Sequence, residues 1–399
     1  MGKSVGSIVK SIKSVKWIKK VYDVALYSIM KVMNQVLGVK NNKVVLVSFN
    51  GTQYGGNPKA LSRMIHHARP EADIVWMFND PDAKKGLLPS YIRTVKSRSF
   101  SALYELATAK FWIDNFCKST NIYKGENQCY IQTWHGDRGF KKILFDSTFV
   151  SDDFRIIENE ISDLFLSGSA LGSKIYETAF RYKGEVLEKG SPRNDVLMRM
   201  PENKIKKIKS TIGVAADKKL LLFAPTLRRE ASKTKSDQEI GNIDLSEILY
   251  ELKKKTGDEW VCMVRAHSAV GGLAGVPDDE RFMNLSSYED MSDLLLISDM
   301  LITDYSSCSG DFALSNRPII LFQYDRQDYM EKDRTFYFDI DSTPFMIALN
   351  QEEIIRLIRE FKYENIEGNC KAILDFYGSY DTGKASEATV RYMISKGLK

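Results

Sequence analysis

The stretch Met300-Leu301-Ile302-Thr303-Asp304-Tyr305-Ser306-Ser307 shows most clearly the pattern from which we predict the fold. Its first four residues are apolar or β-branched and predict a short strand, and polar residues follow where that strand ends. The same order, a strand and then a polar cluster, recurs at residues 132–136, 224–226 and 265–267. Short strands that alternate with helical stretches are typical of parallel sheets with helices on both faces, so we predict an α/β fold.

The predicted strands fall into two groups, one on each side of residue 200. They cover residues 44–49, 74–78, 111–116, 130–133, 164–166, 220–224, 260–265, 300–303 and 318–322. We therefore predict two Rossmann-like domains, residues 41–200 and 201–399, after an N-terminal segment of residues 1–40. The last helix is expected to pack back on the first domain. In this architecture ligands bind beyond the carboxyl ends of the strands.

Composition and charge exclude several classes of protein. With 399 residues, 43% hydrophobic and 27% charged, the chain is neither collagen-like nor largely disordered. The net charge of +5 is concentrated at one end, because residues 1–31 hold seven lysines and one aspartate and the rest is nearly neutral. A general nucleic-acid binder would carry its basic residues over its working surface, so no nucleic acid is expected as a partner.

The cysteines and the N-terminus indicate the compartment. The five cysteines are odd in number and have no spacing of the kind that zinc sites use, which indicates a reducing cytosol. Lysines interrupt the N-terminal apolar residues throughout, so a signal peptide is not expected. No run of about 18 apolar residues occurs, and we predict no membrane-spanning helix.

Residues 1–40 show the pattern of a basic amphipathic helix, with Lys10, Lys13, Lys16 and Lys20 between its apolar positions. The apolar positions recur at steps of three or four and are Ile8, Ile12, Val15, Ile18, Tyr22, Leu26, Ile29 and Met33. Such a helix either packs on the body of the protein or lies on an anionic membrane surface. We favour the membrane, because a helix packed on the protein has no need for charge of a single sign.

The polar clusters at strand ends include two of the four histidines, His135 and His267, at equivalent positions in the two domains. A histidine after a strand is more often structural than catalytic, but this symmetry favours a function. In the second domain, Asp304, Ser306 and Ser307 either cap a helix or, with its unpaired amides, bind a phosphate. The chain has neither a GxGxxG nor a GxxxxGK[ST] motif, which argues against dinucleotide oxidoreductases and P-loop enzymes.

Taken in order, several stretches resemble the CDP-glycerol:glycerophosphotransferase family, the teichoic-acid primases and polymerases. They are residues 57–59, 132–136, 190–195, 224–228, 265–267, 301–307, 311–313, 317–318, 324–325, 329, 336–339 and 383–387. The resemblance implies the two-domain GT-B architecture. It also implies an enzyme that moves glycerol phosphate from CDP-glycerol to a hydroxyl of a lipid-linked saccharide or polyol-phosphate acceptor of the cell wall or capsule, releasing CMP.

The resemblance suggests a role for each candidate residue. An acceptor hydroxyl would attack the β-phosphorus of CDP-glycerol, and His135 would be the general base, since an imidazole with an ordinary pKa of about 6.5 accepts a proton near neutral pH. His267 and Arg265 would offset the charge of the pyrophosphate and the leaving CMP. Ser306 and Ser307 would hold the phosphates. The other substrate-binding candidates are Thr226, Arg228, Asp304, Lys384 and Ser386.

One segment departs from the family pattern. Where members of the family have a Thr-Pro-Leu-Lys type sequence after Trp-His-Gly, this chain has Asp137-Arg138-Gly139-Phe140-Lys141-Lys142, and we expect this loop to face the acceptor. No acidic cluster resembles a metal site, so neither a metal nor a cofactor is expected. Action on lipid-linked acceptors implies a peripheral protein on the cytoplasmic face of the cell membrane.

Three alternatives remain open on the sequence alone. A CDP-ribitol ribitolphosphotransferase or a GT-B sugar-nucleotide glycosyltransferase would use the same architecture and phosphate site. A non-catalytic scaffold on the membrane would keep the N-terminal helix, but it would not need two histidines at strand ends.

Overall fold

The computed structural model describes residues 16–118, 121–147, 154–226, 243–266, 279–332 and 335–399, with side chains from residue 21 onward. These residues form two parallel β-sheets with a buried core on each face, which confirms the predicted α/β fold with two sheet domains.

The first sheet consists of β1 (Lys40–Val47), β2 (Asp73–Phe78), β3 (Ile92–Lys96), β4 (Ala109–Asp114), β5 (Cys129–Gln132), β6 (Leu164–Ser167) and β7 (Glu185–Glu188). Its spatial order is β3-β2-β1-β4-β5-β6-β7, and all neighbours are parallel. Alternate residues of β1 face opposite sides: Val44 and Leu46 pack in one core, and Val45 and Val47 in another. Burial on both faces explains why its second half is a continuous apolar run.

The second sheet consists of β8 (Lys219–Ala224), β9 (Trp260–Val264), β10 (Phe282–Asn284), β11 (Met300–Thr303), β12 (Ile319–Phe322) and β13 (Met346–Ala348). Its order is β10-β9-β8-β11-β12-β13, again with parallel neighbours. The strand order reverses between β1 and β4 in one sheet and between β8 and β11 in the other. A crevice opens at the carboxyl ends beside each reversal, and ligands bind there in folds of this class.

The described helices cover the two sheets. They are α1 (Lys16–Leu37), α2 (Gly56–Ala68), α3 (Phe100–Thr108), α4 (Glu158–Ile161), α5 (Ala170–Ala179), α6 (Asp195–Arg199), α7 (Glu202–Thr211), α8 (Leu245–Thr256), α9 (Met291–Ile297), α10 (Cys308–Phe312), α11 (Arg326–Lys332), α12 (Gln351–Glu360), α13 (Tyr363–Tyr377) and α14 (Ala385–Ser395). Several begin at a side-chain cap; the Asp244 carboxylate, for example, accepts hydrogen bonds from two amides of the first turn of α8.

The chain passes between the domains twice. Leu197 of α6 already packs in the core of the second sheet. After α13 the chain returns, and Val390 and Met393 of α14 pack with Leu46 and Leu61 in the core of the first sheet. The last helix therefore lies on the first domain.

Helix α1 packs on the first domain by a narrow face. Met30 is buried in the core beside β1 and α3, and the Asn34 side chain donates a hydrogen bond to the carbonyl oxygen of Ala107 at 2.8 Å. The Tyr27 ring contacts Tyr123, with centroids 5.2 Å apart.

Other apolar residues of α1 face outward. Of the predicted apolar face, Tyr22 and Ile29 are exposed, and Leu26 and Met33 are half-buried. The side chains of Ile8, Ile12, Val15 and Ile18 lie outside the described part of the structure. Val21, Val32 and Val36 are also exposed. Among the described residues, no helix combines the length and the apolar character needed to cross a bilayer.

Candidate active site

The carboxyl ends of the two sheets face each other across a cleft of about 600 Å³. Residues that follow β1, β4 and β5 line it on one side, and residues that follow β8, β9 and β11 line it on the other. The cleft brings together five of the predicted site residues, which are His135, Thr226, Arg265, Ser306 and Ser307.

His135 is held in one orientation and one tautomer. Trp134, just before it, has a left-handed backbone (φ 48°) that turns the chain out of β5. The His135 Nδ1 lies 2.6 Å from the carbonyl oxygen of Asn115, and Phe116 stacks on the imidazole ring with centroids 5.3 Å apart. A carbonyl oxygen only accepts hydrogen bonds, so Nδ1 carries the proton and Nε2 is the basic nitrogen of the neutral ring. This is the arrangement that a general base requires.

The backbone around His135 is held from two directions. The Asn57 side chain donates hydrogen bonds to the carbonyl oxygens of Thr133 (3.0 Å) and Trp134 (3.2 Å), and its Oδ1 accepts one from the amide of Arg193 (3.0 Å). The Arg193 guanidinium donates to the carbonyl oxygen of His135 itself at 2.5 Å. Asn57 and Arg193 are thus positioning residues for the histidine loop.

Asp311 of α10 connects the second domain to three side chains of the first. Its Oδ2 accepts a hydrogen bond from Arg193 (2.6 Å), and its Oδ1 accepts from Arg138 (3.0 Å) and Asn194 (2.9 Å). Arg138 also donates to the carboxylate of Asp381. We call Arg138, Arg193, Asn194, Asp311 and Asp381 the Arg–Asp311 junction. Burial raises the pKa of Asp381; Arg138 opposes the rise and the nearby Asp137 carboxylate reinforces it.

The loop at residues 137–142, expected to face the acceptor, is instead mainly a contact between domains. Arg138 is fully buried in the Arg–Asp311 junction, and Phe140 packs in the core of the second sheet. The amide of Lys142 donates to the carbonyl oxygen of Thr335 at 2.9 Å. An arginine enclosed by carboxylates cannot reach a ligand in the cleft, so from this loop only Gly139 and Lys141 line the cleft wall.

A second ionic contact joins helix α2 of the first domain to the second domain. The Lys59 ammonium lies 2.8 Å from Asp290 and 2.9 Å from Asp293, all three side chains being buried. Asp293 also pairs with Lys204 at 2.7 Å. We call Lys59, Asp290, Asp293 and Lys204 the Lys59 junction. Burial alone would raise the pKa of Asp290, but the adjacent Lys59 charge lowers it to about 2.

The opposite wall of the cleft carries Arg265, Ser306 and Ser307. Burial lowers the pKa of the Arg265 guanidinium, an effect that Asp290 partly offsets, and one Arg265 donor is used by the carbonyl oxygen of Tyr288 at 3.1 Å. An incompletely neutralised guanidinium in a cleft is suited to an anionic ligand. Ser307 lies directly against Gly136, so closely that a Cβ at residue 136 would be 3.0 Å from the Cβ of Ser307. The histidine loop and the serine loop thus touch.

Asp304 is buried beneath the cleft and positions its wall. Its carboxylate accepts hydrogen bonds from the amide of Thr226 (2.9 Å), the Thr226 hydroxyl (2.5 Å) and the amide of Tyr305 (2.6 Å). Thr226 lines the cleft and Asp304 does not. Asp304 was predicted to bind substrate, but its oxygens face these donors instead of the cavity. Its role is therefore to position Thr226 and Tyr305.

Lys384 and Ser386 lie away from the cleft. They stand at the start of α14, where the carboxylate of Asp195 accepts hydrogen bonds from the amides of Ala385 and Ser386, each at 2.8 Å. Ser386 is buried and its hydroxyl faces the carbonyl oxygen of Pro192 at 3.4 Å. These contacts dock the last helix on the first domain, and neither residue lines the cleft, so the structure does not support their predicted role in binding the same anion as Ser306 and Ser307.

His267 and Arg228, the remaining predicted residues, lie outside the described residues. Ala266 and Thr226, the described residues nearest to them, both line the cleft. Within the described ranges, no group of three or more His, Cys, Asp or Glu side chains is arranged to hold a metal ion.

Sequence reasoning missed Asn115, Arg193 and Asp311 as functional residues. Arg193 and Asp311 stand in stretches that resemble the family, but no local pattern shows that two residues so distant in sequence form an ion pair. Asn115 falls within a predicted strand, whereas β4 ends one residue earlier, at Asp114. The position after a strand end was the signal that could have revealed Asn115.

Comparison with known proteins identifies one family and relatives whose names agree with it. A sequence model of the CDP-glycerol:poly(glycerophosphate) glycerophosphotransferase family matches residues 29–395. The teichoic acid poly(glycerol phosphate) polymerase of Bacillus subtilis is 30% identical over 401 residues, covering 96% of this chain and 52% of that protein. The chain therefore spans about half the length of that polymerase. The teichoic acid glycerol-phosphate transferase of Staphylococcus aureus is 31% identical, covering 93% of this chain and 97% of that protein.

A solved structure shares the whole fold. The structure of the wall teichoic acid polymerase TagF has a TM-score of 0.81 at 28% identity and covers 98% of both chains. A structure of a variant of TagF soaked with CDPG has the same TM-score of 0.81 and the same coverage.

Proposed function

Because the chain belongs to the CDP-glycerol:poly(glycerophosphate) glycerophosphotransferase family, we propose that it transfers glycerol phosphate from CDP-glycerol to a hydroxyl group of a cell-wall polymer acceptor. The observation that carries the proposal is His135, whose tautomer is held by Asn115 and whose loop touches the serine loop across the cleft. A base and phosphate-binding donors on opposite walls of one cleft are what an in-line phosphoryl transfer requires. The names of the similar polymerases and transferases support the same substrates.

In the proposed reaction, Nε2 of His135 takes the proton of the acceptor hydroxyl. At the same time the hydroxyl oxygen forms a bond to the β-phosphorus of CDP-glycerol. The bond from that phosphorus to the bridging oxygen breaks, and the electron pair leaves with CMP. Arg265 and His267 offset the charge that develops on the leaving group. Ser306 and Ser307 hold the phosphates by hydroxyl and amide donors.

The donor and the acceptor are tested by measuring nucleotide release. The full chain is incubated with lipid-linked glycerol-phosphate acceptor and with CDP-glycerol, CDP-ribitol or a UDP-sugar in separate reactions. We expect CMP from CDP-glycerol, faster than from CDP-ribitol, and no UDP. Faster release from CDP-ribitol would indicate a ribitolphosphotransferase, and UDP release would indicate a glycosyltransferase. Release of neither nucleotide with any donor would contradict an enzymatic function.

The base is tested by His135→Ala. Turnover is expected to fall by roughly 10²–10⁴, because the hydroxyl proton loses its acceptor, while CMP affinity changes little. His66→Gln is the matched control, since His66 stacks on Tyr91 at 3.8 Å and does not line the cleft. Normal turnover in His135→Ala would exclude His135 as the base.

The nucleotide side is tested by His267→Ala and Ser306→Ala. We expect His267→Ala to weaken CMP binding, measured by calorimetric titration, and to slow the reaction. Ser306→Ala should show a milder form of the same defect, because backbone amides remain. Wild-type CMP affinity in His267→Ala would remove His267 from this role. Activity that is abolished by a chelator and restored by magnesium would show that a metal is required.

We also propose that α1 associates with the anionic cytoplasmic surface of the membrane. The outward-facing Tyr22, Ile29, Val32 and Val36 supply apolar area, and the lysines of residues 1–31 supply positive charge. The double variant Ile29→Ser and Val32→Ser leaves the packed Met30 untouched. It should bind anionic vesicles more weakly than the wild type at unchanged CMP affinity, and added salt should weaken wild-type binding. Equal vesicle binding would contradict this proposal.

A further inference from the structure

A second cavity, of about 360 Å³, lies beside Arg193. Helix α2, the segment at residues 192–199 and the starts of α7, α9 and α14 enclose it. Its basic lining residues are Lys59, Arg63, His67, Arg193, Arg199 and Lys204, and we call it the basic cavity.

The positive charge of the basic cavity is only partly neutralised. Asp195 and Asp290 are the acidic residues of its lining. The Asp195 carboxylate is occupied by the amides at the start of α14, and Asp290 pairs with Lys59. In the part of the chain that the structure describes, Arg63 and Arg199 have no carboxylate partner, and Arg199 donates to the carbonyl oxygen of Gly383. Two exposed guanidiniums on one cavity therefore remain for an anion.

The basic cavity borders the proposed active site. Gly56, Arg193, Asp290 and Ser292 line both the cleft and the cavity. Arg193 connects the two sites, because its guanidinium donates to the carbonyl oxygen of His135 and the residue also lines the cavity. An anion here would thus lie next to the cleft, with Arg193 between the two sites.

We propose that the basic cavity binds a phosphodiester of the acceptor, the one next to the hydroxyl that His135 deprotonates. This rests on the proposed function. In a glycerol-phosphate chain, the terminal hydroxyl and the nearest phosphate are separated by a single glycerol unit, and the cleft that holds His135 shares wall residues with the basic cavity. The planar donor forks of Arg63 and Arg199 match phosphate oxygens. The cavity would then select acceptors that already carry a glycerol phosphate.

The test uses the full chain and the double variant Arg63→Gln and Arg199→Gln. Both side chains are exposed and belong to neither ionic junction, so the fold is expected to persist, which thermal unfolding checks. Binding of a fluorescent synthetic glycerol-phosphate oligomer is measured by anisotropy without CDP-glycerol. We expect roughly tenfold or greater weakening in the double variant and a shallower salt dependence, because two phosphate contacts are lost. Arg356→Gln, an exposed arginine of α12 that pairs with Glu360, is the matched control.

Kinetics give the second measurement. The KM for the oligomer as acceptor should rise in the double variant, with the KM for CDP-glycerol unchanged. Unaltered oligomer binding, or an equal loss for CDP-glycerol, would overturn the proposal. Inorganic phosphate that binds the wild type as tightly as the oligomer would show a free-anion site and would also overturn it. Absence of CMP release in the wild type would contradict the proposed function alone, because oligomer binding is measured without turnover.

Discussion

The two ionic junctions between the domains look alike but hold different parts of the molecule. In the Arg–Asp311 junction, Arg193 binds Asp311 and also donates to the backbone of His135. In the Lys59 junction, Lys59 binds two carboxylates at the start of α9, and Asp290 also accepts a hydrogen bond from the amide of Gly56 at 3.3 Å. The first junction positions the proposed base, whereas the second fixes how α2 meets α9.

The junctions also differ in charge balance. Arg138 and Arg193 face three carboxylates, those of Asp137, Asp311 and Asp381. Burial, reinforced by the Asp137 charge, raises the pKa of Asp381. Lys59 and Lys204 face an equal number of carboxylates, and the pKa of Asp290 is lowered. The same kind of contact therefore responds in opposite directions to pH.

Removing one partner from each junction should produce the largest effects. Asp311→Ala leaves the buried Arg193 guanidinium without its carboxylate partner, and Lys59→Ala leaves the buried Asp290 carboxylate without its ammonium partner. Each should lower the free energy of unfolding by about 3–5 kcal/mol, measured by urea denaturation. Asp328→Ala, which removes an exposed partner of Lys332, should change it little. A small loss in either buried variant would show that the junction is not a stabilising contact.

Arg193→Lys should separate the two roles of Arg193, which are to position the His135 backbone and to pair with Asp311 of the second domain. A lysine ammonium can pair with Asp311 but lacks the planar fork that reaches His135 at the same time. We expect kcat to fall by about 10²-fold with the KM for CDP-glycerol unchanged, because the histidine is misplaced. Lys59→Arg, the matched exchange in the other junction, should leave kcat near the wild-type value. Equal kcat losses in the two variants would contradict the claim that only the Arg–Asp311 junction positions the proposed base.

Gly136→Ala tests the contact between the histidine loop and the serine loop. The added methyl would overlap the Ser307 hydroxyl, whereas a Cβ at Gly139 would lie 3.7 Å from the Cβ of Ser307, an ordinary contact. We expect Gly136→Ala to cost about 1–3 kcal/mol, divided between stability and CMP affinity. Gly139→Ala should behave like the wild type in thermal unfolding and calorimetric titration. Similar results for the two variants would show that the loops do not need to touch.

The pH dependence of stability should have opposite slopes in the two junctions. The raised pKa of Asp381 means that the native state holds its proton more tightly than the unfolded chain. The stability of the wild type relative to Asp381→Asn should therefore decline as pH rises from about 4. Asp290, with a native pKa of about 2, stabilises above pH of about 4 and loses this effect as pH falls towards 2. Urea denaturation of both asparagine variants across this range measures the slopes, and slopes of the same sign would contradict the charge assignment.

The strands that were not predicted show which strands an amino-acid sequence reveals. Among the residues that the structure describes, all nine predicted strands are present, and the four strands that were not predicted, β3, β7, β10 and β13, are the edges of the two sheets. Every residue of β11 is buried, whereas none of β7 or β10 is. Apolar runs mark strands that are covered on both faces, and an edge strand carries too few buried residues to show one.

The candidate site was predictable to the extent that it depends on strand ends. His135, Arg265 and Ser306 come together because parallel strands place their carboxyl ends at one edge of each sheet. Lys384 and Ser386 have suitable side chains for an anion, but their segment instead docks a helix. The pairing of Arg193 with Asp311 joins residues 118 positions apart, and that distance carries no signal in a single sequence.

The double passage of the chain between the domains limits how the cleft can open. Two bodies linked at one point can swivel about any axis, but bodies linked at two points rotate only about the line through both links. Here the links are the segment that enters α6 and the segment between α13 and α14, which lie together where Asp195 accepts from the amides of Ala385 and Ser386. Opening would therefore be a hinge rotation about the axis through these two segments. The side of the cleft farthest from them would open most.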